Sequence, residues 1–467
     1  MARTREQLVL ELPYGSPADV GLRDAAASEN KTLPIHRWVP WIAGFSAQFV
    51  EDAIKTYLPK SRAADHLVLD PFAGVGTTLV EALKAGHHAL GFELNSFAAL
   101  AARAKLRCIE VNPADLQAEA DAFGAALARF EEEVDRNWAE GGDEAVSRVA
   151  QDLRIHRPLN FRSRIPFFSP PVEAKFLYAL ARTNILLEPE KTLFRAALGA
   201  TMVSFSNYSY EPSLASRPGS GKALIENASV LAPVARKLGE MLTDIEWARQ
   251  NYGYAWLNRR REVCQGSYFD SSVSPRSIAL VVTSPPYMNN YHYVRNTRPQ
   301  LYWLGLVAGS NETREFELQS YGRFWQTVRQ GPRIDLEFDN SALSERISSL
   351  RELNTHKGSY GGEGWANYVA TYMNDTNRFV SVLRQQLKPG AHAVIVVGNS
   401  IIQGMEFPVD RLLAEMGEHH GLKLVDVHIV RTKRVGNSII DSSVRNGHED
   451  GHRAKTQLYD AAVVLRR

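Results

Sequence analysis

The sequence predicts an α/β protein, an open sheet interrupted by a mostly helical inserted domain. Three observations carry this. Residues 66–95, "HLVLDPFAGVGTTLVEALKAGHHALGFELN", read as strand, glycine turn, helix and strand. Residues 278–287, "IALVVTSPPY", read as a buried strand stopped by two prolines. The stretch between the two is far longer than an ordinary connection between sheet strands, so a separate domain is expected there.

In chain order, the apolar run His66–Leu69 is the first strand, and Gly74-Val75-Gly76 is a turn. Thr77–Ala85 keep helical spacing and stop at Gly86. A second strand, His88–Phe92, ends at Glu93. Glycines let a backbone approach a bound molecule closely, and a carboxylate at the end of a second strand can accept hydrogen bonds from two ribose hydroxyls. This is the pattern of a nucleoside-cofactor site. The turn lacks the third glycine of GxGxxG and the Gly-Lys-Ser/Thr ending of a phosphate loop, which disfavours dinucleotides and ATP. Gly219-Ser220-Gly221-Lys222 lacks the upstream glycine and the following hydroxyl, and reads as a flexible loop.

Leu116, Ala120, Phe123, Leu127, Phe130, Val134 and Trp138 recur at four- and three-residue spacing, which predicts a long helix with one apolar seam. Ser169, Pro171 and Glu173 mark the start of another. Arg154, Arg157, Arg162 and Arg164 crowd one stretch, and residues 204–222 mix Tyr208, Tyr210 and Arg217 with hydroxyls and glycines. Such a region is a candidate DNA-reading surface, with a solvated charged face as the competing reading. "VCQGSYFD" (263–270) supplies a third strand. The strand Ile278–Val282 must stop at Ser284, because Pro285 and Pro286 cannot continue it, so Ser284 and Tyr287 sit just past a strand's carboxyl end, where open α/β sheets place ligands. "LKPGAHAVIVVGNS" (387–400) is a turn feeding a buried strand, and "LVDVHIVR" and "YDAAVVLR" are two closing strands.

The 467 residues are 44% apolar and 23% charged, an ordinary balance for a soluble protein with a large core. Fifty-four Lys and Arg against 52 Asp and Glu leave a net charge of +2, so any nucleic-acid surface must be local. Two cysteines, Cys108 and Cys264, are too few for a disulfide framework or a cysteine zinc cluster, and no metal site is indicated. The first residues lack a signal peptide's apolar core and no run of 18 apolar residues occurs, so a cytoplasmic location without membrane contact is expected.

"DPFAGVGTT" followed downstream by "TSPPY" resembles the S-adenosylmethionine-dependent amino-methyltransferases of DNA, which methylate cytosine N4 or adenine N6. The resemblance covers residues 31–105 and 262–467 and implies a Rossmann-like methyltransferase sheet. It implies cofactor contacts at Asp70, Pro71, Phe72, Gly74, Gly76, Thr77, Thr78, Glu93 and Leu94, and at Asp270 beside the adenine ring. Phe45 and Ser46, in "IHRWVPWIAGFSAQFVEDAI", would flank the methionine end; an aromatic element packed on the core is the alternative for that segment. Ser284, Pro285, Pro286 and Tyr287 would hold a flipped target base. The serine form looks most like the cytosine-N4 enzymes, with adenine N6 and an RNA amino group as the alternative substrates. Residues 1–105 and 259–467 would form the catalytic domain, and residues 106–258 a target-recognition insertion that includes Arg162, Arg164, Tyr208, Tyr210 and Arg217. Double-stranded DNA is the implied partner, with a cognate restriction endonuclease as its counterpart.

The chemistry fits those residue types. A ring-conjugated exocyclic amine is a poor nucleophile and needs acceptors that draw on its N–H bonds and aim its lone pair at the methyl sulfonium. Ser284 and a following carbonyl can serve, prolines fix the carbonyl direction, and Tyr287 offers a stacking face worth ~1–3 kcal/mol to an unstacked base. Carbon-5 methylation of cytosine needs a cysteine nucleophile, and neither cysteine lies in a proline-cysteine turn at the sheet edge.

Overall fold

Strands that are apolar on both faces must be covered by helices on both sides, and this requirement decides the architecture. The computed structural model describes residues 22–41, 44, 46–58, 66–151, 153, 155–210, 213–289, 291–433 and 458–467. The first part of the chain builds α1 (Ala47–Tyr57), β1 (Leu67–Asp70), α2 (Thr77–Lys84), β2 (His88–Glu93) and α3 (Ser96–Arg107). An excursion follows, with α4 (Pro113–Ala150), α5 (Pro170–Asn184), α6 (Glu190–Thr201), a hairpin of β3 (Tyr208–Tyr210) and β4 (Leu214–Ser216), and α7 (Leu231–Leu257). The chain returns through β5 (Arg261–Gln265) and β6 (Ile278–Thr283), then leaves again as α8 (Tyr293–Trp303), α9 (Ser310–Gln319), α10 (Trp325–Val328), α11 (Ser341–Arg351) and α12 (Gly362–Gln386). It closes with β7 (Leu387–Gly398), the hairpin β8 (Ser400–Ile402) and β9 (Met405–Phe407), α13 (Val409–His419), β10 (Lys423–Lys433) and β11 (Leu458–Arg466).

Seven strands form one sheet in the order β10-β11-β7-β6-β1-β2-β5. β5, β2, β1, β6 and β7 run parallel, and β11 is antiparallel to both β7 and β10. From β1 the chain winds outward on one side through β2 and β5, then on the other through β6 and β7. The crevice at the carboxyl ends of β1 and β6 is therefore the topological switch point. Topology alone makes the glycine turn and the Ser-Pro-Pro-Tyr turn neighbours.

Alternation along the strands divides the core in two. Val68, Leu280, Val282, Val394 and Val396 face a cluster shared with α2, α3 and the first excursion. Leu69, Val281, Ile395 and Val397 face the other cluster, covered by α12 and α13.

The first excursion is mostly helical, as its sequence predicts. Along α4, Leu116, Phe123, Leu127, Phe130 and Val134 are buried, and the helix kinks at Gly141 and Gly142, where Gly142 has φ 59°. α5 begins after Ser169 because Pro170 and Pro171 occupy a first turn that needs no N–H donors. The Ser169 hydroxyl makes no cap bond, and Glu173 pairs with Arg157 at 2.8 Å instead. The Gly-Ser-Gly-Lys stretch is a hydrogen-bonded turn rather than the expected free loop: the Lys222 N–H donates to the Arg217 carbonyl at 2.8 Å, and the Gly221 N–H to the Pro218 carbonyl at 3.1 Å. The second excursion, α8 to α12, has no counterpart in the sequence reading. Its polar helices give little periodic signal, and α9 buries no residue.

The segment before α1 is pinned by one carboxylate. Asp244 on α7, 1% exposed, accepts from the Ile35 N–H at 2.7 Å, Trp38 Nε1 at 2.8 Å and the Arg37 guanidinium at 2.6 Å. Among the described residues no helix is long and apolar enough to cross a membrane. Asp244→Ala strands two buried donors and leaves the part-exposed Arg37 without its partner, so thermal melting should show a stability loss of ~1–3 kcal/mol. An unchanged melting temperature would remove Asp244 from this role.

Candidate active site

β1 ends in a turn that only glycine makes easily. Gly76 has φ 85° and starts α2, and a Cβ there would meet the Ala102 Cβ at 3.1 Å, so α3 packs directly on the turn. Gly74 has φ 51°, and a Cβ there would meet Trp41 Nε1 at 3.3 Å. The Gly74 N–H donates to Glu93 Oε2 at 2.8 Å and the Asn95 N–H to Oε1 at 2.7 Å. Glu93 is thus held at the end of β2 by one backbone donor on each oxygen, which leaves lone pairs for two further hydroxyls. Burial pushes its carboxyl up to about 7, against the pull of those backbone donors.

Asp70 does something else. It is 0% exposed, and its Oδ1 accepts from Thr283 Oγ1 at 2.6 Å and from the Phe72 N–H at 3.1 Å. Its Oδ2 is buried without a partner among the described residues. Burial pushes its carboxyl up to about 6, while hydrogen bonds from Thr283, Thr78 and Phe72 act in the opposite direction. Thr78 is equally buried, and its hydroxyl donates to the Val282 carbonyl at 3.1 Å. Both residues lie beneath the site and lock β1 and α2 to β6.

Past β6, Ser284 Oγ donates to the Val396 carbonyl at 3.2 Å, and the same hydroxyl makes a side-chain hydrogen bond with Tyr287. The Pro286 carbonyl accepts from the Tyr372 hydroxyl at 3.0 Å. Among the described residues no donor reaches the Pro285 carbonyl. Tyr287 lies against β7, where a Cβ on Gly398 would come within 3.3 Å of its ring and 2.9 Å of Asp460 Oδ1. Burial first, and then the Asp460 charge, hold its phenol well above the ordinary range.

Two cavities meet at the glycine turn. One, of about 130 Å³, is lined by Pro71, Phe72, Gly74, Glu93, Leu94, Phe269, Ser284, Pro286 and Tyr287. The other, of about 820 Å³, lies between the first excursion and α8 and includes Tyr208, Tyr210 and Arg217. Trp41, Gly44, Val75, Thr77, Tyr291 and Tyr293 line both. Three buried polar atoms of the larger cavity, Ser209 Oγ, Tyr291 Oη and Gln300 Oε1, have no partner among the described residues.

The remaining expected site residues sit elsewhere. Gly76 and Pro285 help to form the two turns without lining either cavity. Ser46 is the N-cap of α1, accepting from the Phe49 N–H at 3.4 Å, and Phe45 lies outside the described residues. Asp270 is exposed at the end of a short 3₁₀ turn, and its neighbour Phe269 faces the cavity. Arg162 and Arg164 are exposed and line neither cavity, and Arg154 lies outside the described residues. Sequence reasoning missed Trp41, Tyr291, Tyr293, Tyr321 and Phe324, all of which line the smaller cavity. The aromatic density around Trp41 and after Tyr287 was the available signal.

Residues 25–103 match the model of the DNA methylase family. The chain is 23% identical to the Type II methyltransferase M.BsoBI of Geobacillus stearothermophilus over 434 residues, covering 88% of this chain and 82% of that enzyme. It is 23% identical to the Type II methyltransferase M.AvaI of a Nostoc species over 446 residues, covering 88% and 83%. A shorter match, 28% over 88 residues, joins it to the Type II methyltransferase M.MjaII of Methanocaldococcus jannaschii. Over most of its length the chain is thus similar to Type II DNA methyltransferases, and residues 25–103 match the DNA methylase family. The methyl donor of this family is S-adenosylmethionine, and the donor set fits it. Glu93 presents lone pairs suited to a ribose diol, Phe92 and Phe269 present aromatic surface suited to a purine, and Ser284 lies in the same cavity. When bound, the cofactor supplies an electrophilic methyl group.

Glu93 sets a pH dependence. Only the carboxylate accepts two hydroxyl donors, and those donors lower its pKa in the complex, so affinity is full above about pH 7 and falls below it by up to tenfold per pH unit. Calorimetry with S-adenosylhomocysteine from pH 5 to 7 should show this slope. Glu93→Gln should bind at least tenfold more weakly and without the slope, and a flat wild-type profile would contradict the assignment.

Proposed function

We propose that the protein is a sequence-specific Type II DNA methyltransferase that transfers the methyl group of S-adenosylmethionine directly to the exocyclic N4 of a cytosine held out of the duplex. The observation that carries the cytosine assignment is Ser284, a neutral acceptor at the carboxyl end of β6 in the cavity that also contains Glu93. Its hydroxyl, shared between the Val396 carbonyl and Tyr287, keeps one lone pair for an incoming amine, and the Pro285 carbonyl is a second acceptor. Two acceptors on the amine N–H bonds localise the nitrogen lone pair for in-line attack on the methyl carbon. Tyr372 holds the Pro286 carbonyl, which fixes the turn. Tyr287 forms the wall of the target pocket.

Residues 106–258 are proposed as the target-recognition region, with residues 1–105 and 259–467 as the catalytic halves. The hairpin of β3 and β4 supports this, because it brings Tyr208, Tyr210 and Arg217 to a cavity that shares Tyr291 and Tyr293 with the methyl-transfer cavity. Arg162 and Arg164, exposed and clear of both cavities, would meet the DNA backbone. A cognate restriction endonuclease belongs to the same proposal.

Mass spectrometry of nucleosides from DNA treated with the protein and S-adenosylmethionine should show N4-methylcytosine. N6-methyladenine would overturn the cytosine assignment, and unmodified DNA the whole reading. Ser284→Ala should lower turnover on the order of 100-fold with cofactor affinity unchanged. Arg217→Ala should weaken DNA binding or relax site preference without affecting cofactor binding, and wild-type behaviour would remove the hairpin from the reading surface.

A further inference from the structure

The larger cavity has a charged group that the target-reading proposal does not use. Lys105 lines it from α3, although the residue is only 1% exposed. Its Nζ donates one hydrogen bond, 3.4 Å long, to the His36 carbonyl. The ion pairs nearby close without it: His36 with Glu81, Arg37 with Asp244, and Lys237 with Glu240. Two of its three N–H donors have no acceptor among the described residues. Burial without a counter-charge, and then the nearby Lys237 charge, pull its ammonium down to about 7, and a ligand anion would hold the charged form.

Its place in the fold says which anion. Ala102 packs on Gly76, and Lys105 is one helical turn further along the same face of α3. Thr77, the first residue of α2, lines the same cavity, so first-turn N–H groups add to the positive potential. Glu93 lines one cavity and Lys105 the other, while Val75 and Thr77 line both. A ligand lying across the turn would meet a diol acceptor at one end and a cation at the other. We infer that Lys105 binds the α-carboxylate of the methionine tail of S-adenosylmethionine. The inference rests on that molecule being the cofactor, and it assigns to Lys105 the tail contact that sequence reasoning gave to Phe45 and Ser46.

Calorimetry with three ligands tests it: S-adenosylhomocysteine, its decarboxylated analogue, and 5′-methylthioadenosine, which has no amino-acid tail. Wild-type protein should prefer S-adenosylhomocysteine over the decarboxylated analogue by about tenfold or more. Lys105→Met should lose that preference and keep wild-type affinity for 5′-methylthioadenosine, with its fold checked by thermal melting. Equal wild-type affinity for the carboxylated and decarboxylated ligands would overturn the inference without need of a variant. So would an equal loss for all three ligands in Lys105→Met, which is a structural effect, or a loss confined to DNA binding and its salt dependence, which assigns the lysine to a phosphate. Wild-type protein that binds none of the three would overturn the cofactor itself.

Discussion

The 2.6 Å hydrogen bond from Thr283 to Asp70 is the constraint on which the site depends. Asp70 is the last residue of β1 and Thr283 the last of β6, and both are 0% exposed. One residue later, each strand enters a turn that faces the cavity. In the proposed reaction the turn after β1 would hold the cofactor and the turn after β6 the target amine, so this bond would set the separation of the two reactants. Thr78 repeats the connection from α2 to the Val282 carbonyl. Sites built on strand ends hold geometry more closely than sites built on loops, and methyl transfer depends on such positioning.

The rest of the chain is arranged around that fixed pair. Both helical excursions leave and re-enter at sheet strands without breaking the pairing of β1 with β6. They meet at Asn296 on α8: its carbonyl accepts from the Tyr210 hydroxyl at 3.0 Å, and its Oδ1 accepts from the Leu214 N–H at 2.9 Å. One position on, Thr297 accepts from Asn95 Nδ2 at 2.7 Å, and Asn95 also caps α3. A chain of three residues therefore connects the hairpin, α8 and the end of β2 that carries Glu93. The hairpin proposed to read the target is thereby tied to the cofactor side of the site.

The parts of the fold that obey local rules were legible in the sequence. Strand, glycine turn, helix and carboxylate at 66–93 follow from φ requirements and periodicity, and the apolar seam of α4 follows from spacing alone. Asp70 and Thr78 were legible as residues of a cofactor motif, but their burial against β6 depends on a strand 213 residues away from Asp70. The family resemblance places Asp270 beside the adenine ring, but the short turn Tyr268–Asp270 leaves it exposed and lines the cavity with Phe269. The helices from Tyr293 to Gln386 were not foreseen, because several are polar surface elements whose buried contacts are few and long-range. Lys105 reads as an ordinary helix lysine, and its burial, with Nζ on the His36 carbonyl, involves a segment 69 residues away in the chain.

On this geometry the β1–β6 bond would position methyl transfer and not merely support the fold. The most direct test is the single-turnover rate of methyl transfer by Thr283→Val, a near-isosteric change, at saturating cofactor and DNA. The variant leaves a buried carboxylate short of a partner, at a cost of ~1–3 kcal/mol, and should remain folded while its rate falls by about tenfold or more. A folded variant that transfers methyl groups at the wild-type rate would show that the bond supports the fold alone.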